Sequence, residues 1–141
     1  MDEVMRAIPH RSPFLFVDQV VEVTDKKIKA IRKMDPEEAF FKGHYPGYPI
    51  MPGVLVCEAI FQTGAILLSR LMTAADVGEG VPVLGRINNA KFRQMVKPGD
   101  ILELEAELVE RMGTAYFLKG SASVGGKTAV TVEFAVSLAK K

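Results

Sequence analysis

The order of segments in this chain predicts an α+β protein, a curved antiparallel sheet wrapped around one long central helix. Three observations carry that prediction. Val54 to Met72 is apolar on nearly every helical side, although it carries Glu58, Gln62, Ser69 and Arg70. Such a helix must be covered on more than one face, which a wrapping sheet provides, with a partner subunit available to cover the rest. Ile101 to Leu108 alternates apolar and acidic residues, the pattern of a strand with one face in water. Gly125-Gly126 separates two further strand patterns and marks a tight hairpin.

The remaining elements follow in order. Phe14 to Val23, rich in β-branched and aromatic residues, reads as a strand, and Thr24-Asp25-Lys26 as a turn. Lys27 to Lys33 alternates as a half-buried strand. Asp35-Pro36-Glu37-Glu38 has the composition of an N-cap and the first turn of a short helix. A loop rich in Pro and Gly, from Gly43 to Gly53, leads into the long helix, with Pro52 expected at its first position. Pro82 to Phe92, Ile101 to Arg111, Ala115 to Val124 and Lys127 to Leu138 read as strands, with turns at Pro98-Gly99-Asp100 and Met112-Gly113-Thr114.

The bulk composition narrows the function. A chain of 141 residues with 48% hydrophobic and 25% charged residues is expected to form a single domain, residues 1–141, with its own core. Its net charge of +1 argues against a global field for nucleic acid or membrane. The single cysteine, Cys57, excludes an intrachain disulfide and suits a reducing, cytoplasmic setting. Met1 to Arg6 lacks the pattern of a signal peptide, and the charged and polar residues of the long helix favour a buried element over a membrane span.

The chemistry concentrates between His44 and Glu58. His44, held between Gly43 and Tyr45-Pro46, is suited to act as a base near neutral pH. Glu58, two turns into the helix among apolar neighbours, is expensive to bury unpaired, and its side chain leans back toward the helix start. Burial is expected to favour its neutral form, and the helix dipole to oppose that. Gln62, four residues on, shares its face. The N–H groups of Gly53 and Val54 lie at the positive end of the helix dipole without intrahelical partners, and Gly53 has no side chain to keep a carbonyl away. A base, an acid and a dipolar N–H site suit proton abstraction beside a carbonyl with loss of a β-hydroxyl. His10 reads as structural or entrance-lining. The two histidines, far apart and without a Cys/His cluster, do not form a plausible metal set. Arg86, Lys91, Arg93 and Lys97 form a basic stretch, either a solvated strand face or a docking patch.

These residues resemble a known family. Gly43-His44-Tyr45-Pro46-Gly47-Tyr48-Pro49-Ile50-Met51-Pro52-Gly53-Val54 is similar to the G-H-F-P-G-x-P-I-M-P-G-V signature of FabZ-type 3-hydroxyacyl-acyl-carrier-protein dehydratases. Glu58-Ala59-Ile60-Phe61-Gln62 resembles that family's E-A-x-A-Q, and His10 to Asp18 its H-R-Y-P-F-L-L-V-D. Ala90-Lys91-Phe92-Arg93 and Val96-Lys97-Pro98-Gly99-Asp100 match two further blocks, A-R-F-R and V-x-P-G-D. The resemblance implies a hot-dog fold and a homodimer, often a trimer of dimers. It implies dehydration of a (3R)-3-hydroxyacyl chain on acyl carrier protein to the trans-2-enoyl thioester, with no cofactor. His44 is then the base at C2 and Glu58 the acid, paired across two subunits, a choice that spacing alone leaves open. Gly53, with Val54, receives the thioester carbonyl, Gln62 orients Glu58, and the basic stretch meets the acidic carrier. Tyr45, Ser12 and Phe61 depart from the pattern, as do Arg86, Asn88 and Asn89. Phe61, where the family has a small residue, bears on tunnel shape. A hot-dog thioesterase lacks this His-loop signature, the related dehydratase–isomerase has Asp where Glu58 stands, and a non-catalytic acyl-binding module predicts loss of His44 or Glu58.

Overall fold

Every strand among the described residues joins one six-stranded antiparallel sheet, in the order β1-β2-β4-β5-β6-β3. The computed structural model describes residues 2–45, 47–73, 78 and 80–140. The elements are α1 (Asp2–Ala7), β1 (Gln19–Val23), β2 (Lys27–Lys33), α2 (Ala39–Gly43), α3 (Gly53–Leu71), β3 (Gly80–Phe92), β4 (Ile101–Met112), β5 (Ala115–Val124) and β6 (Lys127–Lys140). The helix α3 packs against β2 through β6 and against α1, which is the hot-dog arrangement of a sheet around a central helix.

The core is the seam between α3 and the inner face of the sheet. Val56, Ala59, Ile60, Thr63, Ile66 and Leu67 of α3 are buried against Ile28, Leu102, Leu104, Leu118 and Phe134. Along β4 the alternation works as read: Leu102, Leu104 and Ala106 are buried while Glu103 stays in water. The outer face carries cross-strand charge pairs, Lys27 opposite Glu107 and Glu107 opposite Lys119, the latter at 3.3 Å. Gly64 lets α3 seat closely, since a Cβ there would stand 2.7 Å from the Phe134 ring. The Gly125-Gly126 hairpin has positive φ at both residues, +58° and +80°, a conformation that glycine adopts without strain.

Three local readings need correction. Phe14 to Asp18 does not extend β1, which begins at Gln19. The Phe14 carbonyl and Phe16 N–H bond to the Gln62 side chain, so they are spent outside the sheet ladder. Asp35 to Glu38 forms a turn before α2 rather than its first turn, with the Asp35 carboxylate accepting the Glu37 N–H at 2.9 Å. Pro52 is the N-cap of α3, not its first helical residue: its ψ is 134° while its carbonyl already accepts the first helical bonds. The short helix α1, Asp2–Ala7, carries no mark in the residue pattern used above.

By length and composition α3 could cross a bilayer, but here most of it is buried inside the protein. At the opposite edge from β1, β3 exposes every residue from Pro82 to Phe92 in the single chain, including Val83, Leu84, Ile87 and Phe92. Its outer ladder is unpaired. Its pairing is irregular at two places, between Leu84 and Arg86 and between Asn88 and Lys91. Asn89 takes φ of +50°, which asparagine tolerates better than most residues, and its amide donates to Glu133 at 2.7 Å.

Candidate active site

The start of α3 is built by Pro52. The N–H groups of Leu55 and Val56 donate to the Pro52 carbonyl at 2.9 and 3.1 Å, so those of Gly53 and Val54 precede the helical ladder. Val54 is exposed, and the Phe92 ring lies over Gly53: a Cβ on Gly53 would come within 2.7 Å of it.

Glu58 is fixed from within its own helix. Gln62, only 1% exposed, donates from Nε2 to Glu58 Oε2 at 3.0 Å and to the Phe14 carbonyl at 2.8 Å, while its Oε1 accepts the Phe16 N–H at 2.8 Å. All of its amide capacity but one lone pair is thus engaged, and the side chain has one available pose. One carboxylate oxygen of Glu58 is thereby tethered.

His44 is placed by the end of α2, its N–H donating to the Phe40 carbonyl at 2.9 Å. Its Nδ1 lies 3.0 Å from the Ile50 carbonyl. A carbonyl only accepts, so Nδ1 carries the proton in the neutral ring and Nε2 holds the free lone pair. The next residue, Tyr45, sits at φ of +49°, a strained conformation for an aromatic residue, with its ring 4.7 Å from that of His44. Pro46, part of the quoted signature, lies outside the described residues. The loop is pinned at its far end by Met51 N–H donating to Val96 at 2.8 Å.

Glu58 and His44 do not meet within one chain: the ion-pair partner of Glu58 among the described residues is His10, Nε2 to Oε2 3.8 Å. Sequence reasoning read His10 as structural or entrance-lining, and the fold sets it beside Glu58. No spacing signal marks this contact across 48 residues of chain; it arises because His10 stacks on Phe14, whose carbonyl Gln62 holds. His10 Nδ1 is buried without a hydrogen-bond partner among the described residues. Phe61, one turn beyond Glu58, packs against Phe134 with ring centroids 4.9 Å apart. Cys57 is buried, and desolvation pushes its thiol above its ordinary value.

The basic stretch is divided. Lys91 and Arg93 line an outer groove of about 690 Å³ that Arg86 and Lys97 do not reach. Glu105, Glu107 and Glu133 share that groove, so its field is mixed in sign, and it includes neither His44 nor any residue of α3. Among the described residues no group of three or more His, Cys, Asp or Glu side chains is placed to hold a metal ion.

Comparison with known proteins adds an independent line. The model of the FabA-like domain matches residues 8–133. The 3-hydroxyacyl-acyl-carrier-protein dehydratase FabZ of Clostridium acetobutylicum is 45% identical over 135 residues, covering 94% of this chain and 93% of the relative. The protein of the same name from Petrotoga mobilis is 40% identical over 141 residues, covering 99% and 98%. Among solved structures, the dehydratase heterocomplex ApeI:P from Xenorhabdus doucetiae superposes with a TM-score of 0.82 at 17% identity, covering 98% of this chain and 91% of that one. A putative thioesterase from Ralstonia eutropha reaches 0.67 at 16% identity, covering 84% and 82%. At such identities the structural likeness establishes the fold alone.

Proposed function

The chain belongs to the FabA-like family, among the FabZ-type 3-hydroxyacyl-acyl-carrier-protein dehydratases, and from that premise we propose how its own residues carry out the reaction. The enzyme reversibly dehydrates (3R)-3-hydroxyacyl-acyl carrier protein to the trans-2-enoyl form in fatty acid biosynthesis. His44 Nε2 removes the C2 proton. The electron pair moves toward the thioester carbonyl, whose growing negative charge is received by the N–H of Gly53, with Val54 beside it. Glu58 donates a proton to the 3-hydroxyl, the C3–O bond breaks, water leaves and the C2–C3 double bond forms. Acid–base help of this kind contributes about 10²- to 10⁴-fold, and an oxyanion donor about 10²- to 10³-fold.

The single observation that carries this reading is the tethered carboxylate. Glu58 is held at one oxygen by a fully buried Gln62, at a helix start whose first N–H groups have no helical partner. Gln62 is the residue that orients the acid, and Phe61 lines the acyl path. That His44 bonds the Ile50 carbonyl and Glu58 approaches His10 supports a pair formed in trans, His44 of one subunit with Glu58 of the other. The exposed apolar residues and free ladder of β3 support a homodimer, since an open edge is a template for a second strand. Three such dimers form the hexamer, in the cytoplasm, and Arg86, Lys91, Arg93 and Lys97 guide the acidic carrier.

The test is an assay of purified protein with crotonyl and longer enoyl carrier thioesters, following hydration, isomerisation and hydrolysis separately. Hydration is expected, and His44→Ala and Glu58→Gln each abolish it in folded protein. Near-normal turnover in both variants refutes the catalytic assignment, and thiol release as the only activity moves the reading to a thioesterase.

A further inference from the structure

Arg32, on β2, is not among the residues assigned above, yet it touches the frameworks of both catalytic side chains. It is 14% exposed. Its Nη1 donates to Asp18 Oδ1 at 2.9 Å and its Nη2 to Glu38 Oε1. Its guanidinium lies 5.9 Å from the centre of the Phe16 ring. Asp18 is locked in turn, its Oδ2 accepting the Lys33 N–H at 2.7 Å.

Two of these contacts, to Glu38 and to Phe16, each lead to one catalytic group. Glu38 is the N-cap residue of α2, and His44 closes the other end of that five-residue helix. A displacement of Glu38 is therefore passed to His44 through little more than one helical turn. Phe16 gives its N–H to Gln62, which tethers Glu58. The two arms are also joined by rings: Phe14 and Phe16 at 5.1 Å, then Phe16 and Phe40 at 6.2 Å, with the Phe40 carbonyl accepting the His44 N–H.

We propose that Arg32 is a positioning residue that holds His44 and Glu58 in register through one guanidinium, gripping Glu38 on the side of the base and covering Phe16 on the side of the acid. The reason for a cation here is electrostatic. Asp35, Glu37 and the cation Lys33 line the same groove of about 600 Å³, and without Arg32 the carboxylates of Asp18 and Glu38 face each other as like charges. Their repulsion drives Glu38, and with it α2, away from β2. Misplacement of a reacting group by about 1 Å costs on the order of 100-fold in rate. Lysine keeps the charge between the carboxylates, whereas methionine keeps only the bulk. Where the catalytic pair forms in trans, each Arg32 serves both sites of the dimer. This inference rests on the assignment of His44 and Glu58 above.

The experiment measures hydration of crotonyl carrier thioester by the full chain and its Arg32→Met, Arg32→Lys, Arg32→Ala, Glu38→Gln and His44→Ala variants, with near-ultraviolet circular dichroism to report the folded fraction. For Arg32→Met, kcat per folded molecule is expected to fall about 100-fold with KM changed less than about threefold, and the isotope effect of deuterium at C2 of the 3-hydroxyacyl thioester, read in the dehydration direction, to rise. Arg32→Lys is expected within about tenfold of the parent, and Glu38→Gln between the two. The open groove gives a further readout: millimolar methylguanidine restores much of the turnover of Arg32→Ala. Should Arg32→Met not fold, Glu38→Gln and the methylguanidine rescue of Arg32→Ala decide. Normal kcat in Glu38→Gln and folded Arg32→Met, or a loss that only follows the unfolded fraction and resists rescue, overturns the inference. An active His44→Ala overturns instead the catalytic assignment beneath it.

Discussion

Replacing Gln62 by Met separates the structural from the catalytic weight of this residue. Methionine has nearly the same volume, so the core is neither emptied nor overfilled. What is lost is the set of three hydrogen bonds from one side chain that is 1% exposed. The Phe16 N–H, in a residue 2% exposed, is left buried without a partner, which costs about 1–3 kcal/mol. The Phe14 carbonyl belongs to a residue that is 47% exposed, so water replaces its donor at little cost. Glu58 is 22% exposed at its side chain, so water also reaches its carboxylate and the folded state loses on the order of 0.5 kcal/mol there. The sum is a destabilisation of about 2 kcal/mol. For a chain of this size that is a fall in Tm of about 4–8 °C, and a drop in urea midpoint of about 1 M at a slope near 2 kcal/mol/M. Thermal and urea unfolding are compared at one fixed protein concentration, because an oligomer's apparent stability depends on it. Hydration activity per folded molecule should fall as well, since Glu58 no longer has a single pose. A variant as stable as the parent would refute the hydrogen-bond reasoning, and one that is destabilised but fully active per folded molecule would refute the role of Gln62 in orienting the acid.

Other consequences are open to measurement. Gly64→Ala drives a methyl group to 2.7 Å from the Phe134 ring and 3.3 Å from Leu118, and unfolding in urea should show a loss of about 1–3 kcal/mol. Burial raises the Cys57 thiol above its ordinary value of 9.0, so its contribution to stability is full below that pH and is lost as pH rises through the folded value. Urea unfolding between pH 7 and 10 should therefore show a smaller alkaline loss in Cys57→Ala than in the parent, and iodoacetamide should label the native thiol far more slowly than the unfolded one at pH 7.5. Lys91→Glu with Arg93→Glu is expected to raise KM for carrier-linked substrate at least about threefold more than for a small thioester; equal effects on both would count against docking at that groove.

Much of the fold is legible from residue order. β2 and β5 begin and end where the alternation of Lys27–Lys33 and Ala115–Val124 places them, because period-two patterns bounded by turns leave little freedom. The apolar run from Val54 likewise marks α3 to within a residue at either end. Phe14 to Asp18 misleads for a definite reason. Its composition is that of a strand, but the Phe14 carbonyl and the Phe16 N–H find a partner in Gln62, 48 residues away from Phe14. The reading of Asp35 to Glu38 fails similarly, since the Asp35 side chain closes a turn that competes with the helix start.

For the candidate site the division follows the range of the interaction. Glu58 and Gln62 are four residues apart on one helix, so helical geometry alone brings them together. That the N–H groups of Gly53 and Val54 precede the helical ladder follows from Pro52 and the loop before it. These are local consequences of covalent order. That His10 stands beside Glu58, and that Arg32 joins Asp18 to Glu38 beneath Phe16, depends on β1, β2, α2 and α3 converging from distant parts of the chain. No periodicity encodes such contacts. They exist because the sheet closes on α3 and buries charges and amides that must find partners there, and only the folded chain decides which partners those are.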